Sequence, residues 1–363
     1  MNVLFLTEAG KDIGLGHLSR CRALAYAFAK RGHDARITVA GDETVWSSLN
    51  KKERDTGTVQ AFKWYNDFEG LKIMCKYVHV IVVDSYLASE KVYRVLSEDT
   101  RVPVFLDDTV RLKYPPSVVL NWSISAKSLP YPSDQGITYL LGTQYVALRE
   151  GFIESPNQKF LGVQDRGYAV PFREKGTGRR RHETNDLLNV LITFGGDDSK
   201  NMTPRVLEFL VKQYPQIEKH VVIGSAYNNI KEIESFADAN THFVHSPGDV
   251  GMCELMSRCD LAICSGGQTL YELAYIGVPA VAVMVAENQR ANVEGFEKAG
   301  FIENAGFWTQ PDIMERIGAS FSKMIDIERR SSAIKVGQSL VKGDGAFRVA
   351  EEVEKLYKQR VGE

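Results

Sequence analysis

The chain reads as short, wholly apolar runs separated by stretches with helical spacing. Residues 3–6 form a continuous apolar run of the kind that fills a parallel sheet buried on both faces. Further on, Cys21, Leu24, Ala25 and Phe28 fall at i, i+3, i+4 and i+7, so residues 18–30 are predicted as a helix with one apolar face. Gly32 stops that helix, and residues 35–39 give a second strand. Residues 78–83 and 102–106 are further β-rich runs, each closing on aspartate: Asp84, and Asp107 with Asp108. Strands that alternate with helices predict an α/β fold with a mostly parallel sheet covered on both faces.

The alternation breaks between residues 155 and 186, which hold Pro156, Gly162, Gly167, Pro171, Gly176, Gly178 and the basic run Arg179-Arg180-Arg181-His182. It resumes with strands at 188–194, 221–223, 243–244, 261–264 and 280–285, a helix near 204–212, and a last helix near 346–358. The expected layout is therefore an N-terminal Rossmann-like domain (1–154), a linker with a surface insertion (155–186), a C-terminal Rossmann-like domain (187–342) and a C-terminal helix (343–363), with a cleft between the two halves. The basic run reads as a solvated loop, because three arginines make only a weak electrostatic patch.

A length of 363 residues suits two domains. Hydrophobic content of 44% and charged content of 25% exclude general disorder. With 44 Lys+Arg against 46 Asp+Glu, the net charge of −2 argues against a dedicated nucleic-acid binder. No apolar run reaches the roughly 18–20 residues of a membrane span. The opening residues lack the basic region and cleavage site of a secretory signal. Five scattered cysteines point to a reducing cytoplasm.

Two segments carry the candidate chemistry. Ile13-Gly14-Leu15-Gly16-His17-Leu18-Ser19-Arg20 lies between the first strand and the first helix, where open α/β sheets place ligands. Gly14 and Gly16 let the backbone approach a ligand, and His17 in the first helical turn is suited to act as a general base. The third glycine of a dinucleotide fingerprint is missing, so no NAD site is expected. A plain helix-capping role is the alternative for His17. The second segment, Ser265-Gly266-Gly267-Gln268-Thr269 with Glu272, follows a strand and opens a helix, an arrangement matched to a diphosphate. Glu272, one turn on, is placed to reach ribose hydroxyls. Asn288 and Gln289 follow the strand at 280–285 and read equally as a sugar contact or a polar turn, as Gly195 and Gly196 read as cleft lining or a turn. No metal or cofactor is expected: His242, His245, Cys253 and Cys259 fit no usual zinc spacing.

Taken in order, these motifs resemble one family. They are Ile13-Gly14-Leu15-Gly16-His17 with Arg20, Tyr145-Val146-Ala147-Leu148-Arg149, Thr193-Phe194-Gly195-Gly196 with Asp198 and Asn201, Ser265-Gly266-Gly267, Glu272, Gly277-Val278-Pro279, Asn288-Gln289 and Gly345-Ala346-Phe347-Arg348-Val349. The chain resembles the UDP-sugar hydrolases of the pseudaminic acid pathway (PseG-like proteins) and, more distantly, the MurG-like glycosyltransferases. The resemblance implies a GT-B fold, two facing Rossmann-like domains with the nucleotide held mainly by the C-terminal one. It also implies metal-independent hydrolysis of a UDP-linked 2,4-diacetamido-2,4,6-trideoxy sugar at C1, with His17 activating the water and UDP released with anomeric inversion. The chain departs from the family pattern before the glycine motif, with Leu6 and Glu8 where the family has Arg and Asp. An inverting glycosyltransferase and a non-catalytic nucleotide-sugar binder stand as the other readings.

Overall fold

The computed structural model describes residues 1–10, 13–42, 45, 49, 53, 58–133, 136–154 and 187–362. The expected insertion at 155–186, with its basic run, lies outside the described residues. The chain divides into two units, Met1–Arg149 with Lys342–Glu363, and Glu150–Val341.

The first unit is built on β1 (Asn2–Ala9), β2 (Asp34–Gly41), β3 (Val59–Ala61), β4 (Val80–Asp84), β5 (Val102–Leu106), β6 (Ser117–Asn121) and β7 (Ile137–Leu141). These form one sheet in the order β3-β2-β1-β4-β5-β6-β7, every pair parallel. Helices α1 (Gly16–Lys30), α2 (Phe68–Cys75) and α3 (Glu90–Asp99) connect the strands. The unbroken apolar runs are explained by burial on both faces. From β1, Leu4 and Leu6 pack with Ile81, Val83, Trp64 and Tyr93, whereas Phe5 points the other way and meets Phe28 of α1 edge-on at 6.0 Å. Each such fully buried ring contributes about 2–3 kcal/mol relative to an exposed one.

In the second unit, α4 (Glu150–Glu154) precedes β8 (Asn189–Thr193), α5 (Met202–Gln213), β9 (Glu218–Ile223), α6 (Ile230–Ser235), β10 (Thr241–His245) and α7 (Asp249–Arg258). There follow β11 (Leu261–Ser265), α8 (Thr269–Ile276), β12 (Ala280–Met284), α9 (Arg290–Ala299), β13 (Ile302–Phe307), α10 (Ile313–Ile325) and α11 (Ile327–Leu340). The parallel sheet runs β10-β9-β8-β11-β12-β13. Strands β3, β6, β7 and β13 lie outside the runs picked from the sequence.

The last helix, α12 (Gly345–Val361), belongs to the first unit, where it packs along α1. A β-carbon at Gly345 would collide with the backbone of Tyr145 and Val146, so only glycine lets the helix begin there. Each sheet starts in its middle and winds outward both ways. The crevice at the carboxyl ends therefore opens between β1 and β4 in one unit and between β8 and β11 in the other.

Candidate functional site

In the first unit the loop leaving β1 closes on itself, with Gly14 N–H donating to Gly10 O at 2.7 Å and Gly10 N–H to Gly14 O at 3.2 Å. Helix α1 then starts at Gly16, and His17 falls in its first turn, 7% exposed. The neighbouring strand β4 ends at Asp84, which is 1% exposed. Register pairs Asp84 with Thr7 of β1, so adjacency at the switch point brings Asp84 to His17, 67 positions earlier. His17 Nδ1 lies 2.7 Å from Asp84 Oδ1. With the proton on Nδ1 the ring donates to the carboxylate, and Nε2 keeps its lone pair with no hydrogen-bond partner among the described residues.

Arg20 completes the cluster. Its Nε donates to Asp84 Oδ2 at 2.8 Å and its Nη2 to Asp84 Oδ1 at 2.7 Å, while Nη1 donates to both Asp108 oxygens at 2.9 and 3.0 Å. Its guanidinium also lies 5.6 Å from the ring centre of Trp122. Burial works against the Arg20 charge, yet Asp108 and Asp84 outweigh it and raise its pKa further. Burial likewise opposes ionisation of Asp84, but Arg20 and His17 prevail and hold that carboxyl below its usual range. The guanidinium is thus committed to two carboxylates of its own unit.

Two further carboxylates shape the loops around this cluster. Glu8, 1% exposed, accepts from Ser85 Oγ at 2.5 Å and from the N–H groups of Tyr86 at 2.7 Å and Leu87 at 3.3 Å. That fixes the loop after β4, so that the Tyr86 ring stands edge-on to His17, 4.7 Å between centres, and its hydroxyl donates to Asp108 at 2.6 Å. Burial, reinforced by the Asp108 charge, pushes the Tyr86 phenol well above the ordinary tyrosine range. Asp107 accepts from Val110 N–H, Arg111 N–H and the hydroxyls of Tyr114 and Tyr131 at 2.6–3.1 Å. Val110 is held at φ +57°, strained for a β-branched residue. Ile13, Leu15, Tyr86 and Leu87 are all exposed apolar side chains on the two loops flanking His17.

At the switch point of the second unit, β11 ends at Ser265 and α8 begins at Thr269. Gly266 N–H donates to Gln289 Oε1 at 3.2 Å, and the same oxygen accepts from Val285 N–H at 3.0 Å. Gln289 therefore clasps the loops after β11 and β12. A β-carbon at Gly266 would collide with Val293 of α9, so this glycine serves close packing. A β-carbon at Gly267 would meet only Gln289 Nε2, at 3.9 Å, and the N–H groups of Gly267 and Thr269 have no partner among the described residues. Gln268 is half-buried at the helix start, Glu272 is nearly fully buried in the first turn of α8, and Asn288 is exposed. Gly195 (φ +88°) and Gly196 follow β8, and Gly196 O accepts from Ala226 N–H at 3.1 Å. Asp198 caps α5, accepting from the N–H groups of Met202 and Thr203 at 2.9 and 2.7 Å. Asn201 precedes that helix in a left-handed conformation, φ +52°.

No family model matches the chain. Among curated proteins it is similar to the spore coat polysaccharide biosynthesis protein SpsG of Bacillus subtilis, 25% identical over 374 residues, 99% of this chain and 100% of that protein. It is 23% identical over 312 residues, 85% of this chain, to the Helicobacter pylori pseudaminic acid cytidylyltransferase and UDP-2,4-diacetamido-2,4,6-trideoxy-beta-L-altropyranose hydrolase, of which it covers 49%. It is 25% identical over 309 residues, 82% of this chain, to the uncharacterized protein MJ1062 of Methanocaldococcus jannaschii and covers 58% of it. The chain thus spans only about half the length of these last two. Among solved structures, MurG of Acinetobacter baumannii superposes with a TM-score of 0.67 at 13% identity, covering 98% of this chain and 100% of that one. The spinosyn rhamnosyltransferase SpnG gives 0.60 at 14%, again covering 98% and 100%.

The fold is GT-B. In each unit one glycine motif, that of Gly14 to His17 and that of Ser265 to Gly267, follows the carboxyl end of a strand at the switch point, whereas Gly277-Val278-Pro279 precedes β12 and Gly345 opens α12. Sequence reasoning passed over Asp84, Asp108, Tyr86 and Glu8 as working parts of the first of these. The available signal was that β4 and β5 both run into aspartate, which gains meaning once β4 is known to lie beside β1. Among the described residues, no group of three or more His, Cys, Asp or Glu is arranged to hold a metal ion, and no helix is long and apolar enough to cross a membrane.

Proposed function

We propose that the protein hydrolyses a UDP-linked 2,4-diacetamido-2,4,6-trideoxy sugar at C1, releasing UDP with inversion of the anomeric centre. The observation that carries this reading is the His17–Asp84 pair, buried at a switch point with Nε2 unpaired among the described residues. In the reaction a water oxygen attacks C1, Nε2 takes the water proton, and the C1–O bond to the diphosphate breaks with its electrons leaving on UDP. Asp84 keeps the proton on Nδ1 and stabilises the imidazolium that forms. Amide groups at Gly267 and Thr269, with the N-terminal end of α8, meet the leaving-group charge, so no metal has a part in this reading. Glu272 holds the ribose. The Helicobacter relative, whose name includes this hydrolase, supports the choice of donor. The proposed setting is the cytoplasm.

Incubation with UDP-sugars, followed by NMR for UDP and for the anomer of the free sugar, tests the reaction. His17→Ala is expected to lose about 10²–10⁴-fold in kcat. Turnover equal to the unsubstituted protein would remove His17 as the base. A second reading, inverting transfer to an acceptor hydroxyl, is favoured by the exposed apolar Ile13, Leu15, Tyr86 and Leu87 beside His17, which would suit an apolar acceptor. It predicts negligible UDP release until an acceptor is added.

A further inference from the structure

The second carboxylate at this site, Asp108, has no step in the reaction above, and its surroundings give it a purpose. Asp84 Oδ1 receives His17 Nδ1 and Arg20 Nη2, both at 2.7 Å, and those two nitrogens are themselves 3.0 Å apart. Two neutral tautomers of His17 fit that spacing. In one, Nδ1–H donates to Asp84 and Nε2 is the free lone pair. In the other, Nδ1 accepts from Arg20 Nη2 and the proton sits on Nε2, where no base remains. A fully charged arginine beside Nδ1 draws the ring toward the second form.

Asp108 counters that pull. It takes both bonds from Arg20 Nη1 and so compensates the guanidinium a second time, and it anchors the Tyr86 hydroxyl whose ring stands against His17. Its own position is built in by Asp107, whose four accepted bonds hold the strained turn at Val110. The charged and titratable groups facing the imidazole are Asp84 from β4, Arg20 from α1, Tyr86 from the loop after β4 and, through Arg20, Asp108 from the loop after β5.

We propose that Asp108 is a positioning residue that sets the tautomer of His17, holding Arg20 on the two carboxylates so that Nδ1 keeps its proton toward Asp84 and Nε2 stays free. The proposal rests on the reading of His17 as a base at Nε2. Its test uses the full chain with ¹⁵N-labelled histidine, observed by long-range ¹H–¹⁵N correlation at a pH where the ring is neutral. The unsubstituted protein is expected to show the Nδ1–H form. Asp108→Asn should raise the Nε2–H form several-fold, with Asp108→Ser as the substitute if asparagine prevents folding. Asp108→Glu should restore the original pattern, and Arg20→Met combined with Asp108→Asn should do so as well, because the competing donor is gone. Tyr86→Phe, which leaves both charges in place, should leave the tautomer as it was. An unchanged tautomer in both Asp108→Asn and Asp108→Ser overturns the proposal. The spectrum is read without substrate, so a tautomer change in a protein that hydrolyses no UDP-sugar would sink the hydrolase reading alone.

Discussion

At Asp84 one buried carboxylate serves both an imidazole and a guanidinium, and this makes it the residue whose removal says most. Replacing it by the isosteric amide keeps the volume but removes the charge and turns one acceptor oxygen into an N–H donor, which weakens the preference for the Nδ1–H form. Asp84→Asn is therefore expected to lower kcat by about 10²–10⁴-fold while KM for the UDP-sugar stays within a few-fold, as steady-state UDP release would show. Unchanged kcat would mean that the pair does not act as a base. His17 was legible in the sequence because its glycines and its place between strand and helix are local facts. Asp84 was not, because its meaning depends on β4 lying beside β1, which brings it to His17 from 67 positions away. Arg20 was visible as part of the motif, but its two carboxylate partners follow from the same strand adjacency.

Elements show the same division between local and distant information. The loop opening α8 was readable as a glycine turn at a strand end, yet Gln289 reaches it only because β12 pairs with β11. The last helix was predicted from its spacing, but not the unit it joins. There, Glu354 of α12 accepts two bonds from Arg31 at 2.6 Å and lies 2.7 Å from His33 Nε2. The bonds from Arg31, aided by His33 and opposed by burial, pull the Glu354 carboxyl down to about 2. Because its folded value lies below the unfolded one, its contribution is complete above the usual glutamate range and is lost as pH falls through the depressed value. Glu354→Gln is accordingly expected to cost about 1 kcal/mol at neutral pH, a modest figure because the pair is partly solvated. In thermal melts the gap between the two proteins should hold constant above about pH 5 and close between roughly pH 4.5 and 2. A gap that persists unchanged at the acid end would show that packing, not charge, ties α12 to α1.

For the whole molecule, the sequence disclosed alternation and therefore two parallel sheets, but not the order in which the strands lie. Apolar runs report burial on both faces and are blind to which strand is the neighbour. That order is what puts the His17 and Ser265 motifs at the two switch points. The two units are expected to melt in separate transitions. One large apolar cluster of the second is drawn from residues between Leu188 and Ala333, whereas the first includes a segment from the far end of the chain. In α12, Val349 and Val353 are fully buried, worth about 2 kcal/mol each, and Phe347 meets Tyr26 of α1 at 6.2 Å. Deleting residues 342–363 is thus expected to lower one calorimetric transition by roughly 10 °C, at 2–4 °C per kcal/mol, and to leave the other in place. UDP at about a hundred times its Kd should raise only the transition that the deletion spares, by about 2.7 kcal/mol. If UDP raised the deletion-sensitive transition instead, the nucleotide would be held by the unit that carries His17, and the division of labour between the two switch points would have to be reversed.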